Sequence, residues 1–298
     1  MNLEMAIVSV YLRRTRKPVW SDVDHFAKQL RAPKADPAPP RRLRSRHLVE
    51  ESTVRGFRLF TVTPRAGATG RGVLYLHGGG YVNSIAPQHW ALISKLADQG
   101  ATVRVPLYGL APQHTFTEAY ELLDKVYDGL AADSDELVIM GDSAGGGLAL
   151  GFAQTLRDAG RPLPRSLTLI APWLDIACRN PEIDALEPLD PWLARPGAIL
   201  AGQTWAAGTD RDNPRLSPVF GDMTGLPPLH VYCGTLDIVY PDVKVLARRA
   251  REAGVEVDLT IAEGACHVYP LVPTREGRRA RERIVAMAAG ADDQYKPS

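Results

Sequence analysis

Cysteine is nearly absent from this chain: Cys178, Cys233 and Cys266 are its only three in 298 residues. Three at such wide spacing are too few for a disulfide framework or a thiolate metal site, and they point to a reducing cytoplasm. Net charge is lacking too, since 35 Lys and Arg against 34 Asp and Glu leave +1. That balance offers no long-range attraction to nucleic acid or to an acidic membrane surface. No apolar run approaches the roughly 18 residues that a membrane-spanning helix needs, so no membrane insertion is expected. The opening MNLEMAIVSVYLRRTRK has its acid ahead of its basic cluster and no small-residue cleavage site, unlike a secretory signal. None of the seven histidines has a second histidine three to five residues on, which argues against a metal site.

What is present is an ordinary globular composition, 45% apolar and 23% charged. α/β folds often run to about 250 residues as one unit, so one large core with an extension is expected. Residues 1–46 stand apart as an N-terminal helical segment. Met5, Val8 and Leu12 recur at helical spacing, and Ser21 with Asp24 resembles a helix N-cap followed by an acid. Pro33, Pro37, Pro39 and Pro40 then break any helix, and the basic run Arg41 to Arg46 reads as a solvated linker.

From residue 47 the chain alternates. Strands are expected at 47–54, 57–62, 72–76, 102–105, 136–140, 166–170, 229–233 and 255–261, with helices at 86–99, 116–131, 144–158, 242–253 and 276–289. This rhythm implies crossover units and a mostly parallel sheet, with the first two strands as an antiparallel edge. The stretch 174–227 is too long for a structureless loop, so it is expected to be an insertion with helices of its own, lying over the site.

The strongest chemical signal is Gly141-Asp142-Ser143-Ala144-Gly145, at the end of an apolar strand and the start of a helix. G-x-S-x-G in that setting puts the serine on a sharp turn that exposes its oxygen. A glycine-rich nucleotide loop is the competing reading, but Leu150 stands where the dinucleotide fingerprint needs a third glycine. No Lys-Ser/Thr pair follows Gly146, so a phosphate loop fails as well.

Strand 72–76 runs into His77-Gly78-Gly79-Gly80-Tyr81. A tri-glycine loop can offer backbone N–H groups to an oxyanion, and Gly78, Gly79 and Ala144 are the expected donors. His77 reads as a side chain that fixes this loop. The remaining partners follow in the order acid, then histidine: Asp237 lies just beyond strand 229–233 and His267 just beyond the last strand. Asp242 competes for the acid role but is better placed to start a helix, His230 sits inside a strand, and Cys266 reads as a quiet thiol. Tyr81, Trp173, Trp192 and Trp205 are candidates for the substrate pocket, with core packing as the rival reading.

Taken together, HGGGY, GDSAGG and the ordered Asp237 and His267 resemble the hormone-sensitive-lipase-like family of bacterial esterases. Tyr108 to Gln113 is similar to its Y-R-L-A-P-E element, and Leu216-Ser217-Pro218 and Gly225-Leu226-Pro227-Pro228 also match its pattern. The resemblance implies an α/β-hydrolase fold with an eight-stranded sheet and a helical cap built from the N-terminal helices and 174–227. It implies hydrolysis of small or medium acyl esters, no cofactor, and a homodimer. Gly109, Gln113 and Gly147 depart from the usual Arg, Glu and Asn. Asp237 to Asp242 and His267 to Pro273 look closer to the branch holding acetyl hydrolases and lactone hydrolases. Lactone or N-acetyl hydrolysis by the same triad is therefore an alternative. A small-ligand receptor on the same fold is another, but such relatives lack the histidine found here.

Overall fold

The apolar runs and helical periods organise one sheet flanked by helices in the computed structural model, which describes residues 2–290. The polar tail after Gly290 lies outside the described residues. Four helices come first: α1 (Leu3–Thr15), α2 (Lys17–Ser21), α3 (Val23–Arg31) and α4 (Arg41–Arg46). Strands β1 (His47–Val54), β2 (Phe57–Pro64) and β3 (Arg71–Leu76) follow, then α5 (Pro87–Asp98), β4 (Thr102–Pro106) and α6 (Phe116–Ala132). The chain continues through β5 (Glu136–Asp142), α7 (Ala144–Asp158), β6 (Ser166–Ile170), α8 (Ile183–Leu186) and α9 (Arg195–Ala206). It closes with β7 (Leu229–Leu236), α10 (Tyr240–Glu252), β8 (Val257–Cys266) and α11 (Arg275–Ala288).

The eight strands are ordered β1-β2-β4-β3-β5-β6-β7-β8. β2 is antiparallel to both β1 and β4, and every other pairing is parallel. Val73 to Leu76 at the centre are fully buried, as expected of strands covered on both faces. α6 shows why the flanking helices form. Glu118 accepts a hydrogen bond from the Thr115 N–H at its start, and Phe116, Ala119, Tyr120, Leu123, Val126 and Leu130 give it a buried stripe. Because β3, β5, β7 and β8 run parallel, their C-terminal ends share one rim.

Three local expectations need correction. Arg41 to Arg46 is a helix, not a linker: buried Leu43 anchors it, while Arg44 and Arg46 pair with Glu51 and Asp98. The cap of α3 is Asp22, whose carboxylate accepts the His25 N–H at 2.8 Å; Ser21 instead ends α2 and bonds back to the Lys17 carbonyl. The last strand runs on to Cys266, since its pairing with β7 resumes beyond an irregularity. Segment 174–227 carries α8, α9 and a single turn at Pro218–Phe220. α9 packs against α2 and α3.

Candidate active site

Ser143 stands between β5 and α7 with φ 52° and ψ −120°, a region costly for any residue with a side chain. The turn closes because its flanks lack Cβ atoms. A Cβ on Gly141 would lie 2.3 Å from the Gly145 carbonyl oxygen, and one on Gly145 would lie 2.1 Å from that of Leu76. The strain is held by bonds from Ser143 N–H to the Ile170 carbonyl (2.8 Å) and from Gly147 and Trp173 N–H to the Ser143 carbonyl.

The structure brings the three expected side chains together. Ser143 Oγ lies 2.8 Å from His267 Nε2, and His267 Nδ1 lies 2.7 Å from Asp237 Oδ2. With Nδ1 donating to the carboxylate, Nε2 is left as the acceptor facing the serine hydroxyl. Asp237 is fully buried and also accepts the Val239 N–H at 3.1 Å. Burial works to lower the His267 pKa, but the charge and hydrogen bond of Asp237 outweigh it, and the net shift is upward.

The competitors are occupied elsewhere. Asp242, in the first turn of α10, accepts from Asn180 at 2.9 Å, and burial pushes it up to about 6. His230 faces Asp258 from within β7. The Cys266 thiol is buried and pushed up to about 12, so no thiolate is available at neutral pH.

On the opposite side of Ser143, Asp142 organises the glycine loop. Its Oδ1 accepts the Tyr75 hydroxyl (2.8 Å) and the Gly78 N–H (3.0 Å), and its Oδ2 faces His89 Nε2 at 3.2 Å. His89 Nδ1 accepts the Ala86 N–H, so Nε2 bears the ring proton and donates a hydrogen bond to Asp142. Burial would raise the Asp142 pKa, yet His89 and Tyr75 hold it below the usual carboxylate range. His77 bonds to the Gly78 carbonyl, stacks on Tyr108 at 4.5 Å, and is driven by burial down to about 4. It fixes the loop as a neutral ring.

This network removes Gly78 from the expected donors, because its N–H is already committed to Asp142. Gly79, Gly80 and Ala144 have N–H groups without a protein acceptor among the described residues. Nothing in the sequence shows which of three adjacent glycines is bonded beneath the loop, so Gly80 stands outside the expected set. Two aromatic assignments also fail. Tyr81 is packed between Trp205 (stacked at 4.5 Å, rings nearly parallel) and Trp173, with its hydroxyl on the Ala144 carbonyl. It and Trp205 stand outside the cavity wall, whereas Trp173 and Trp192 line it.

The cavity in front of Ser143 and His267 has a volume of about 410 Å³. Trp20, Gln29 and Lys34 wall it from the N-terminal segment, and Trp192, Leu193 and Ala198 from the 174–227 segment. Trp192 meets the His267 ring edge-on at 5.8 Å. A residue the sequence did not single out, Asp190, is wholly buried behind this wall. Its carboxylate accepts N–H bonds from Trp192 (2.7 Å), Leu193 (2.9 Å) and Ile238 (3.0 Å). Among the described residues no group of three His, Cys, Asp or Glu could hold a metal ion, and no helix is long and apolar enough to cross a membrane.

Residues 73–271 match the model of a family described as the alpha/beta hydrolase fold. An acetyl-hydrolase of Streptomyces hygroscopicus is 36% identical, over 72% of this chain and 73% of its own. An ethyl acetate hydrolase of Pseudomonas putida is 33% identical, over 67% of this chain and 66% of its own. A triacylglycerol lipase of Mycobacterium tuberculosis is 31% identical over 75% of this chain, which spans 47% of that longer protein. Among solved structures, EstE5 soaked with p-nitrophenyl butyrate superposes with a TM-score of 0.83 at 29% identity, covering 97% of this chain and 99% of that one. An esterase from the bacterial hormone-sensitive lipase family gives 0.80 at 28% identity, covering 97% and 98%.

Proposed function

Since the chain belongs to the α/β-hydrolase family, among the esterases of the bacterial hormone-sensitive-lipase kind, and is a carboxylic ester hydrolase, we propose that it cleaves small or medium acyl esters with Ser143 as nucleophile, His267 as general base and Asp237 as the orienting acid. The observation that carries this reading is the unbroken contact from the Ser143 hydroxyl through His267 to buried Asp237.

His267 Nε2 takes the hydroxyl proton as Ser143 Oγ attacks the ester carbonyl, and Asp237 stabilises the imidazolium that forms. The carbonyl oxygen gains charge against the N–H groups of Gly79, Gly80 and Ala144, each such donor being worth roughly 3–4 kcal/mol. His267 returns the proton to the leaving alcohol, which departs and leaves Ser143 acylated. Water, deprotonated by the same imidazole, then releases the acid and restores the serine. We assign α1 to α3 and the 174–227 segment to a cap over this site. The cavity volume suits a short or medium ester, and the relatives described as an acetyl-hydrolase and an ethyl acetate hydrolase support a short acyl group.

Initial rates on p-nitrophenyl esters from acetyl to decanoyl test the proposal. We expect the highest kcat/KM at short chains and a loss of at least ~10⁴-fold in Ser143→Ala. Undiminished turnover in that variant would dismiss the serine, and a maximum at decanoyl would dismiss the substrate size.

A further inference from the structure

Asp190 is a buried carboxylate for which the reaction outlined above has no use, and its three bonds join two different parts of the molecule. Two of them hold Trp192 and Leu193, which wall the cavity; the third holds Ile238, the residue next to Asp237. Lys17, at the start of α2, reaches the same place from the N-terminal segment. Its ammonium donates to the carbonyls of Glu187 (2.6 Å) and Leu193, so both Leu193 backbone groups are tied down, one by each charged residue.

We propose that Asp190 and Lys17 form a charged strut that holds the cavity wall and the Asp237 loop in one arrangement, making both of them positioning residues for the hydrolysis of the bound ester. The proposal rests on the triad reading given above. The strut acts by geometry and by charge. In geometry, it sets where Trp192 stands against the His267 ring and where Asp237 presents its oxygen. In charge, the Asp190 carboxylate adds to Asp237 in favouring the imidazolium that the reaction generates.

The groups facing Asp190 are Asp237 on the acid loop, Lys17 on α2, His267 after β8, and the thiols of Cys233 and Cys266. The thiols are neutral at working pH, their pKa values raised by burial. Burial and the Asp237 charge push Asp190 itself up to about 6, whereas Lys17 is lowered by burial despite the attraction of Asp190 and Glu187.

Opposite charges on the strut predict opposite shifts, which separates positioning from simple folding support. In Asp190→Asn the acid limb of kcat/KM should move to lower pH by about half a unit, because His267 loses a nearby anion. kcat should fall about tenfold as the acid loop loosens. In Lys17→Met the limb should move upward, because the carboxylates near His267 lose a counter-charge, and KM should rise several-fold as the Leu193 wall loosens. Thermal melts of both variants establish that the measured protein is folded. If Asp190→Asn does not fold, Lys17→Met alone decides. A limb that stays in place in folded protein, with Ser143-dependent turnover retained, overturns the strut while leaving the esterase reading intact. Loss of Ser143 dependence in the unaltered protein would overturn the esterase reading itself.

Discussion

On either side of Ser143 a buried aspartate serves a loop, and the two are held in different ways. Asp142, under the glycine loop, accepts from a tyrosine hydroxyl, a backbone N–H and the proton-bearing nitrogen of His89, and these partners keep it ionised. Asp190, behind the acid loop, accepts only backbone N–H groups and lies near a second carboxylate, so burial prevails and its pKa rises. Each accepts three hydrogen bonds, so equal burial gives opposite outcomes through the neighbour, a histidine beside Asp142 and the like-charged Asp237 beside Asp190. The glycine-loop side is built as a rigid, satisfied cradle, while the acid side keeps electrostatic tension close to the histidine.

The sharpest break in this comparison comes from the acid side. Asp237→Asn should lower kcat by about 10⁴-fold with the fold intact, because the amide no longer selects the His267 tautomer. Steady-state kinetics beside a circular dichroism spectrum check it, and near-normal activity would return the acid role to Asp242. On the cradle side, Asp142→Asn should cost less, about 10²-fold in kcat, with KM little changed. An asparagine can still accept from Tyr75 and Gly78, but its amide would face the His89 N–H donor to donor. If that variant lost as much as Asp237→Asn, the cradle would be part of the proton path and not a support.

The smallest effect is in stability. Asp142, with its folded pKa depressed, contributes stability that is present above its unfolded value near 4 and lost only in stronger acid. Asp190, with its folded pKa raised to about 6, contributes stability that is present below about 4 and lost as pH rises through 6. Melting temperatures from pH 5 to 7 should therefore show a constant deficit for Asp142→Asn and a shrinking one for Asp190→Asn. Parallel deficits would erase the contrast between the two aspartates.

Much of the core was legible in sequence because its signals are local. Strand and helix periods, the glycines around Ser143, and the chain order of Asp237 and His267 each depend on near neighbours or on motif order. The misreadings share a different cause. Arg41 to Arg46 looks solvated until Leu43 is seen to be buried, and Gly78 looks free until Asp142 arrives beneath it from the next strand. Tyr81 and Trp205 stay divided between pocket and core because sequence carries no information on which face of a ring is covered.

By itself, then, the sequence determined a mostly parallel sheet, the strained serine turn and the candidates for base and acid, since backbone sterics and hydrophobic periodicity act over a few residues. Only the tertiary structure decided which N–H groups remain unbonded at the glycine loop and which aromatics wall the cavity. It alone placed Asp190 between that wall and Asp237. Hydrogen-bond commitment and desolvation belong to groups far apart in the chain, and they exist only once the sheet has brought those groups to one rim.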